Sequence, residues 1–223
     1  MQKPNFFIIG TPKCATTGLA TYLREHKDIF FSDPKEPRYF STDFPEKHRR
    51  ISTLEEYEKL FEDADGFAAV GEGSAYYLFS AVAVPNILKY NPDAKFIVLV
   101  KDPMNLAKSW HKHLVHNGYE NTTDFEKALA TDRNKSALTY KEIMAWPERI
   151  EWVKQHIPEG RLLVCNIDTE SMASIYRRVL AFLGVEDDGR THFPRINKGK
   201  PTSLFRRILF NLQRLRRKYK IAL

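Results

Sequence analysis

The apolar run Phe6-Phe7-Ile8-Ile9 passes directly into Gly10-Thr11-Pro12-Lys13-Cys14-Ala15-Thr16-Thr17 and then into the helix-like Gly18-Leu19-Ala20-Thr21-Tyr22-Leu23. That succession leaves few architectures open. Four apolar residues without alternation read as a strand buried on both faces, which is the habit of parallel sheets covered by helices. A buried strand that turns tightly into a helix aims several backbone N–H groups at one place, where the helix dipole also favours negative charge. Lys13 and the hydroxyls of Thr16 and Thr17 sharpen that place into a phosphate site.

Two further runs have the same character. Lys95-Phe96-Ile97-Val98-Leu99-Val100 follows the turn signal Asn91-Pro92-Asp93 and ends at Lys101-Asp102-Pro103. The run from Arg161 to Ile167 follows Ile157-Pro158-Glu159-Gly160. A shorter strand is expected around Ala68-Ala69-Val70. Helical patterns lie at about 103–116, 124–131, 138–156 and 171–184, the last closing on Gly184. Strands alternating with helices predict an α/β fold, a P-loop-type three-layer domain with a central parallel sheet flanked by helices. Ligands bind beyond the carboxyl ends of such strands, and both Lys13 and Lys101 fall just past a strand end, so the two cations are expected to converge.

The 223 residues, 43% hydrophobic, suit one large soluble domain and contain no stretch long enough to span a membrane. The opening segment is too short in apolar residues for a secretory signal, which gives a cytoplasmic expectation. Two cysteines, Cys14 and Cys165, allow at most one internal disulfide and exclude a four-cysteine metal cage. Cationic neighbours of Cys14 could lower its thiol pKa; a small residue that fits the turn is the simpler account. The net charge of +7 resides in the tail: from Leu204 onward there are seven basic residues and no acid, which leaves 28 basic against 28 acidic residues in 1–203. The tail's apolar stripe at helical spacing could pack on the domain or an interface, or touch an anionic membrane surface. The expected organisation is therefore a domain over 1–203 and a basic amphipathic helix over 204–223, with no nucleic-acid partner expected for the neutral body.

The position of the lysine says what kind of phosphate loop this is. In the Walker A pattern the lysine is the seventh residue and the next hydroxyl holds magnesium; here the lysine is fourth from Gly10 and Thr16 is seventh. The loop resembles instead the 5′-phosphosulfate loop of sulfotransferases that use 3′-phosphoadenosine 5′-phosphosulfate (PAPS). The segment from Lys101-Asp102-Pro103 to Ser109 resembles that family's 3′-phosphate motif, with lysine in place of the usual arginine, which keeps the charge and loses the bidentate fork. Pro194-Arg195-Ile196-Asn197-Lys198-Gly199-Lys200-Pro201 is similar to the family's loop over the 3′-phosphate. Asp33-Pro34-Lys35-Glu36-Pro37-Arg38-Tyr39-Phe40 resembles the segment that carries the catalytic base in carbohydrate-type members and their bacterial relatives. Gly71-Glu72-Gly73-Ser74-Ala75-Tyr76-Tyr77 resembles the segment bordering their acceptor cleft, with Gly73 where many members carry lysine.

The resemblance implies a sulfotransferase that moves a sulfuryl group from PAPS, used as donor substrate without a metal, to a hydroxyl or amine of a carbohydrate, lipid or other small molecule. It implies Glu36 as base, since an alcohol is a poor nucleophile until a carboxylate takes its proton, and Lys13 as the charge on the leaving phosphate. The donor would be held by Lys13, Cys14, Ala15, Thr16, Thr17, Lys101, Ser109, Lys198, Gly199 and Lys200. Lys35, Glu72 and Tyr76 would meet the acceptor, Glu72 standing in reserve as base. Phe40, Tyr76, Tyr77, Tyr140 and Trp146 are candidates to line its pocket. His111, His113 and His116 do not share one helix face, are read as surface or cleft-rim residues and are not expected to bind metal. Two other readings stay open on the residues alone: an ATP-dependent P-loop kinase with Asp102 as its acid, and a non-catalytic nucleotide-binding domain with a recruiting tail. Magnesium dependence separates the first, salt-dependent RNA binding the second.

Overall fold

In the computed structural model, which describes residues 2–196, five strands form: β1 (Phe6–Gly10), β2 (Ile29–Phe31), β3 (Ala69–Gly73), β4 (Lys95–Val100) and β5 (Leu162–Asn166). They pair in the order β2-β3-β1-β4-β5, parallel throughout. Every position of β1 and β3 is buried, as the unbroken apolar run at the start of the chain requires. The strand order reverses at β1, which has β3 on one side and β4 on the other, and the crevice beyond such a switch point is where open α/β sheets bind ligands. Register between β1 and β4 shifts between Ile8 and Gly10, so the irregularity falls just where β1 gives way to the Lys13 loop.

Eight helices accompany the strands among the described residues: α1 (Thr16–Arg24), α2 (Leu54–Lys59), α3 (Ala83–Tyr90), α4 (Pro103–His116), α5 (Phe125–Thr131), α6 (Tyr140–Met144), α7 (Trp146–Lys154) and α8 (Met172–Leu183). The single helix expected over 138–156 is two, broken at Ala145. Pro147 explains the break, because it donates no N–H and its ring clashes with the carbonyl four residues back. β2 was not foreseen: three residues at a sheet edge are too few to show a period. Two compact units result. One is Met1–Asp102 with Ala145–Asn197, which holds the sheet with α1, α2, α3, α7 and α8; the other is built on Pro103–Met144 and holds α4, α5 and α6.

The core of the first unit on one face of the sheet is aromatic. Phe7 stacks on Phe96 at 6.0 Å and meets Phe40 edge-on at 6.1 Å, and Tyr57, Phe61 and Tyr77 are wholly buried around them. Phe40 and Tyr77 are therefore core residues and not the lining of an acceptor pocket; Trp146 packs against the same cluster. In the second unit Tyr140 is fully buried and its hydroxyl lies 2.7 Å from Nδ1 of His111, whose Nε2 lies 3.1 Å from the Thr123 carbonyl. His111 is thus an internal, hydrogen-bonded residue, and its reading as a surface or rim histidine is corrected. Lys198, Gly199, Lys200 and the basic tail over 204–223 lie outside the described residues.

Candidate active site

The loop between β1 and α1 is fixed from below. The Thr11 N–H donates to the Leu99 carbonyl on β4 at 2.8 Å, and the Thr11 hydroxyl lies 3.0 Å from the same oxygen and 2.7 Å from Cys14 Sγ. So anchored, the loop holds Lys13 (φ 65°) and Ala15 (φ 58°) in the left-handed conformation, which costs a residue with a side chain on the order of 1 kcal/mol each and concentrates at functional sites. Ala15 is the N-cap of α1 and supplies no side-chain cap. The N–H groups of the first turn therefore have no acceptor within their own helix, and a left-handed residue leading into α-helix makes a concave nest of donors suited to an anion.

Cations surround that nest. Lys13 is exposed at its mouth, and Lys101, 8% exposed, follows β4 next door. Desolvation of the Lys13 ammonium, and then the Lys101 charge, hold Lys13 below the usual lysine range. Two ammonium groups near enough to oppose each other's protonation are an arrangement that an anion relieves. Cys14 is buried, and burial pushes its thiol up to about 11 against the lowering influence of Thr11 and Lys101, so it is an inert small residue and not a reactive thiolate. Ser109 lies half-buried on α4 in the second unit.

The acidic partner comes from the loop after β2. Lys35 Nζ lies 2.7 Å from Glu36 Oε1 and 3.4 Å from Thr16 Oγ1, so it stands between the carboxylate and the mouth of α1. Arg38 Nε donates to Glu36 Oε2 at 3.1 Å, and the Ala75 N–H points at both carboxylate oxygens, at 3.4 and 3.2 Å. Burial alone would raise the Glu36 pKa, but the charges and hydrogen bonds of Lys35 and Arg38 outweigh it and hold the carboxyl below the usual range. Glu36 (φ 64°) and Arg38 (φ 55°) are themselves left-handed. Four of the five side-chain-bearing residues with positive φ among the described residues thus lie in these two loops.

The loop is pinned from several directions. Glu36 N–H donates to the Gly73 carbonyl at 3.0 Å, Arg38 N–H to Ser74 Oγ at 3.0 Å, and Arg50 Nη1 to the Lys35 carbonyl at 3.0 Å. A Cβ on Gly73 would come within 3.2 Å of Lys35 Cε and of the Phe31 ring, so the lysine stem passes close over the bare glycine of β3. Tyr76 is half-buried with the Arg38 guanidinium 4.2 Å from its ring centre. Glu72 is wholly buried; its reading as an acceptor-binding residue or reserve base is corrected, because no acceptor reaches a carboxyl inside the core. Arg38 and Ser74 were missed from the sequence. The signal available was a second cation two residues past Glu36, which places it on the same side only if the intervening backbone is other than helical.

Among the described residues no group of three histidine, cysteine or acidic side chains is placed to hold a metal, and no helix is long and apolar enough to cross a membrane. Asp102 donates its backbone N–H to the Asp168 carboxylate at 2.9 Å.

Residues 5–202 match the family described as the sulfotransferase domain. The chain is similar to a human bifunctional heparan sulfate N-deacetylase/N-sulfotransferase, with 28% identity over 198 residues that cover 82% of this chain and 22% of that protein. It spans 22% of the length of each of the first two curated relatives it matches. In structure it is similar to a sulfotransferase from Alicyclobacillus acidocaldarius, with a TM-score of 0.78 and 26% identity, covering 100% of this chain and 98% of that one. It shares its fold with a mouse sulfotransferase complexed with PAP, at a TM-score of 0.54 and 15% identity over 84% of this chain and 61% of that one.

Proposed function

The chain belongs to the sulfotransferase domain family, and from that premise we propose that it transfers the sulfuryl group of PAPS to a hydroxyl or amine of a carbohydrate, lipid or other small-molecule acceptor. The observation that carries this reading is one ionised carboxylate, Glu36, linked by Lys35 to a helix mouth that has no side-chain cap and is flanked by Lys13 and Lys101. The nest and the two lysines suit a donor that presents phosphate groups, and Glu36 suits an acceptor that must lose a proton. The mouse relative's complex with PAP, the desulfated form of the donor, supports the donor's identity.

In the reaction the acceptor oxygen or nitrogen forms a bond to sulfur as its proton passes to Glu36. The bond from sulfur to the phosphate oxygen breaks, and its electron pair stays on that oxygen, where Lys13 meets the charge. Glu36 with both cations in place is ionised at neutral pH but weakly basic. Lys35 resolves this, because its ammonium already reaches toward Thr16. Once it turns to the sulfonate or phosphate of the donor, Glu36 loses one of the charges that depress it and becomes the stronger base, so the base is strengthened when donor is present. Lys101 would meet a phosphate of the donor, and Tyr76 would border the acceptor.

Calorimetry of PAP against ADP and ATP without magnesium tests the reading. Binding that requires the 3′-phosphate is the expected result, followed by transfer of labelled sulfate from PAPS in an acceptor screen. Preference for ATP, or failure to bind PAP, would overturn it.

A further inference from the structure

Beneath the candidate base lies a buried acid that the reaction does not use. Glu72, on β3, is wholly buried, and its Oε2 accepts a hydrogen bond from the Ser74 hydroxyl at 2.9 Å. The same Ser74 oxygen accepts from the Arg38 backbone N–H at 3.0 Å, and Arg38 Nε in turn holds Glu36 Oε2 at 3.1 Å. Hydrogen bonds joined through the backbone and side chain of Arg38 therefore link the core to the Glu36 carboxylate.

We propose that Glu72 is a positioning residue, an internal strut that fixes Ser74, and through it the left-handed Arg38 backbone, so that Arg38 holds Glu36 in its working orientation. The inference rests on the assignment of Glu36 as base. Arg38 has a φ of 55°, a conformation that a side-chain-bearing residue keeps only where its surroundings impose it. The hydrogen bond from its N–H to Ser74 is such an imposition. Ser74 has one hydroxyl proton, and donating it to Glu72 leaves the Ser74 lone pairs facing Arg38.

The surroundings of Glu72 favour its neutral form. The polar groups that face it are the hydroxyls of Ser74 on the same segment, Tyr57 on α2 and Tyr77 past β3. The charges that reach it are Glu36, which opposes ionisation, and Lys35, which favours it and is already engaged by Glu36. Burial dominates and, helped by the Glu36 charge, takes the carboxyl up to about 8 against the lowering influence of the Tyr77 and Ser74 hydrogen bonds and the Lys35 charge. An uncharged Glu72 can serve as acceptor for Ser74 without adding a second negative charge beside Glu36. Its ionisation would add that charge and draw on the cations that Glu36 needs.

The decisive comparison is between Glu72→Gln and Glu72→Ala, read against Ser74→Ala. The amide copies a neutral carboxyl in shape and in its acceptor oxygen, so Glu72→Gln should keep most of the turnover. The wild type is expected to lose turnover as pH rises through about 8 and Glu72 ionises, and Glu72→Gln should remove that decline. Glu72→Ala and Ser74→Ala should each lower kcat about tenfold or more with PAP affinity unchanged, and the double variant should be no worse than either single one. Carboxyl NMR of 13C-glutamate-labelled protein gives a readout independent of turnover. A resonance titrating near 8 should be present in the wild type and missing in Glu72→Gln. The proposal is overturned if that resonance titrates in the ordinary carboxylate range, if Glu72→Gln leaves the alkaline limb in place, or if Ser74→Ala is fully active. Should the wild type show no transfer with any acceptor, the proposed reaction fails, while the NMR titration and the effect of Ser74→Ala on the Glu36 resonance still decide the strut.

Discussion

Glu36 must be ionised to take a proton, and Lys35 and Arg38 secure that at the expense of its basicity. Replacing it with Gln keeps shape and hydrogen bonding and removes the proton acceptor. Turnover should fall by about 10²- to 10⁴-fold, the usual worth of a positioned base, with PAP affinity by calorimetry nearly unchanged. Arg38→Ala removes one of the two cations that hold Glu36 down, so the acid limb of the pH–rate profile should move to higher pH. Lys13 gives a prediction of opposite sign. Desolvation and Lys101 keep its pKa low in the free protein, and a bound phosphate restores it toward the usual value. PAP therefore binds the protonated form better. Affinity should hold below the free-protein pKa of Lys13 and fall as pH rises through it, with uptake of a proton on binding measurable by calorimetry in buffers of different ionisation enthalpy. Lys13 could be picked from the sequence because a lysine in a tight strand-to-helix loop stands out within a few residues, and Glu36 only because its segment resembles the one that carries the base in sulfotransferases. Arg38 could not, since its place on Glu36 depends on two left-handed residues that the Ser74 and Gly73 contacts impose.

At the scale of elements, the sheet was legible where strands are long and buried on both faces. β1, β4 and β5 each show as an apolar run bounded by turn residues, and β3 only as a short fragment. The packing of β3 on β1 is tighter than the sequence could reveal: a Cβ on Gly71 would lie 2.3 Å from the Phe6 ring. Gly71→Ala should therefore force Phe6 aside and cost about 1–3 kcal/mol, seen as a lower midpoint in denaturant unfolding. α8 begins at Ser171, whose hydroxyl accepts the Ser174 N–H at 3.1 Å, and closes on Gly184 at φ 77°. Ser171→Ala should cost about 1 kcal/mol by the same measurement, and the Glu36 site should be unaffected. The break between α6 and α7 was missed because the apolar spacing continues across Pro147, while the missing N–H and the ring clash act on the backbone alone.

Across the whole molecule both thiols are interior. Cys14 and Cys165 are fully buried, and burial takes each thiol up to about 11. A thiol reagent should label neither in the native protein at neutral pH and both once it is unfolded, so labelling reports global opening. PAP should slow labelling of Cys14 under mildly destabilising conditions, since ligand bound to the native state opposes opening. The sequence by itself determined the alternation of strand and helix, the parallel sheet and the tight strand-to-helix loop at the end of β1, because each follows from patterns confined to neighbouring residues. Only the tertiary structure decided that Glu36 is held by a backbone N–H 39 positions away, and that Glu72 lies inside while Tyr76 does not. Those outcomes depend on contacts between segments far apart in the chain, which the short-range pattern of residues does not contain.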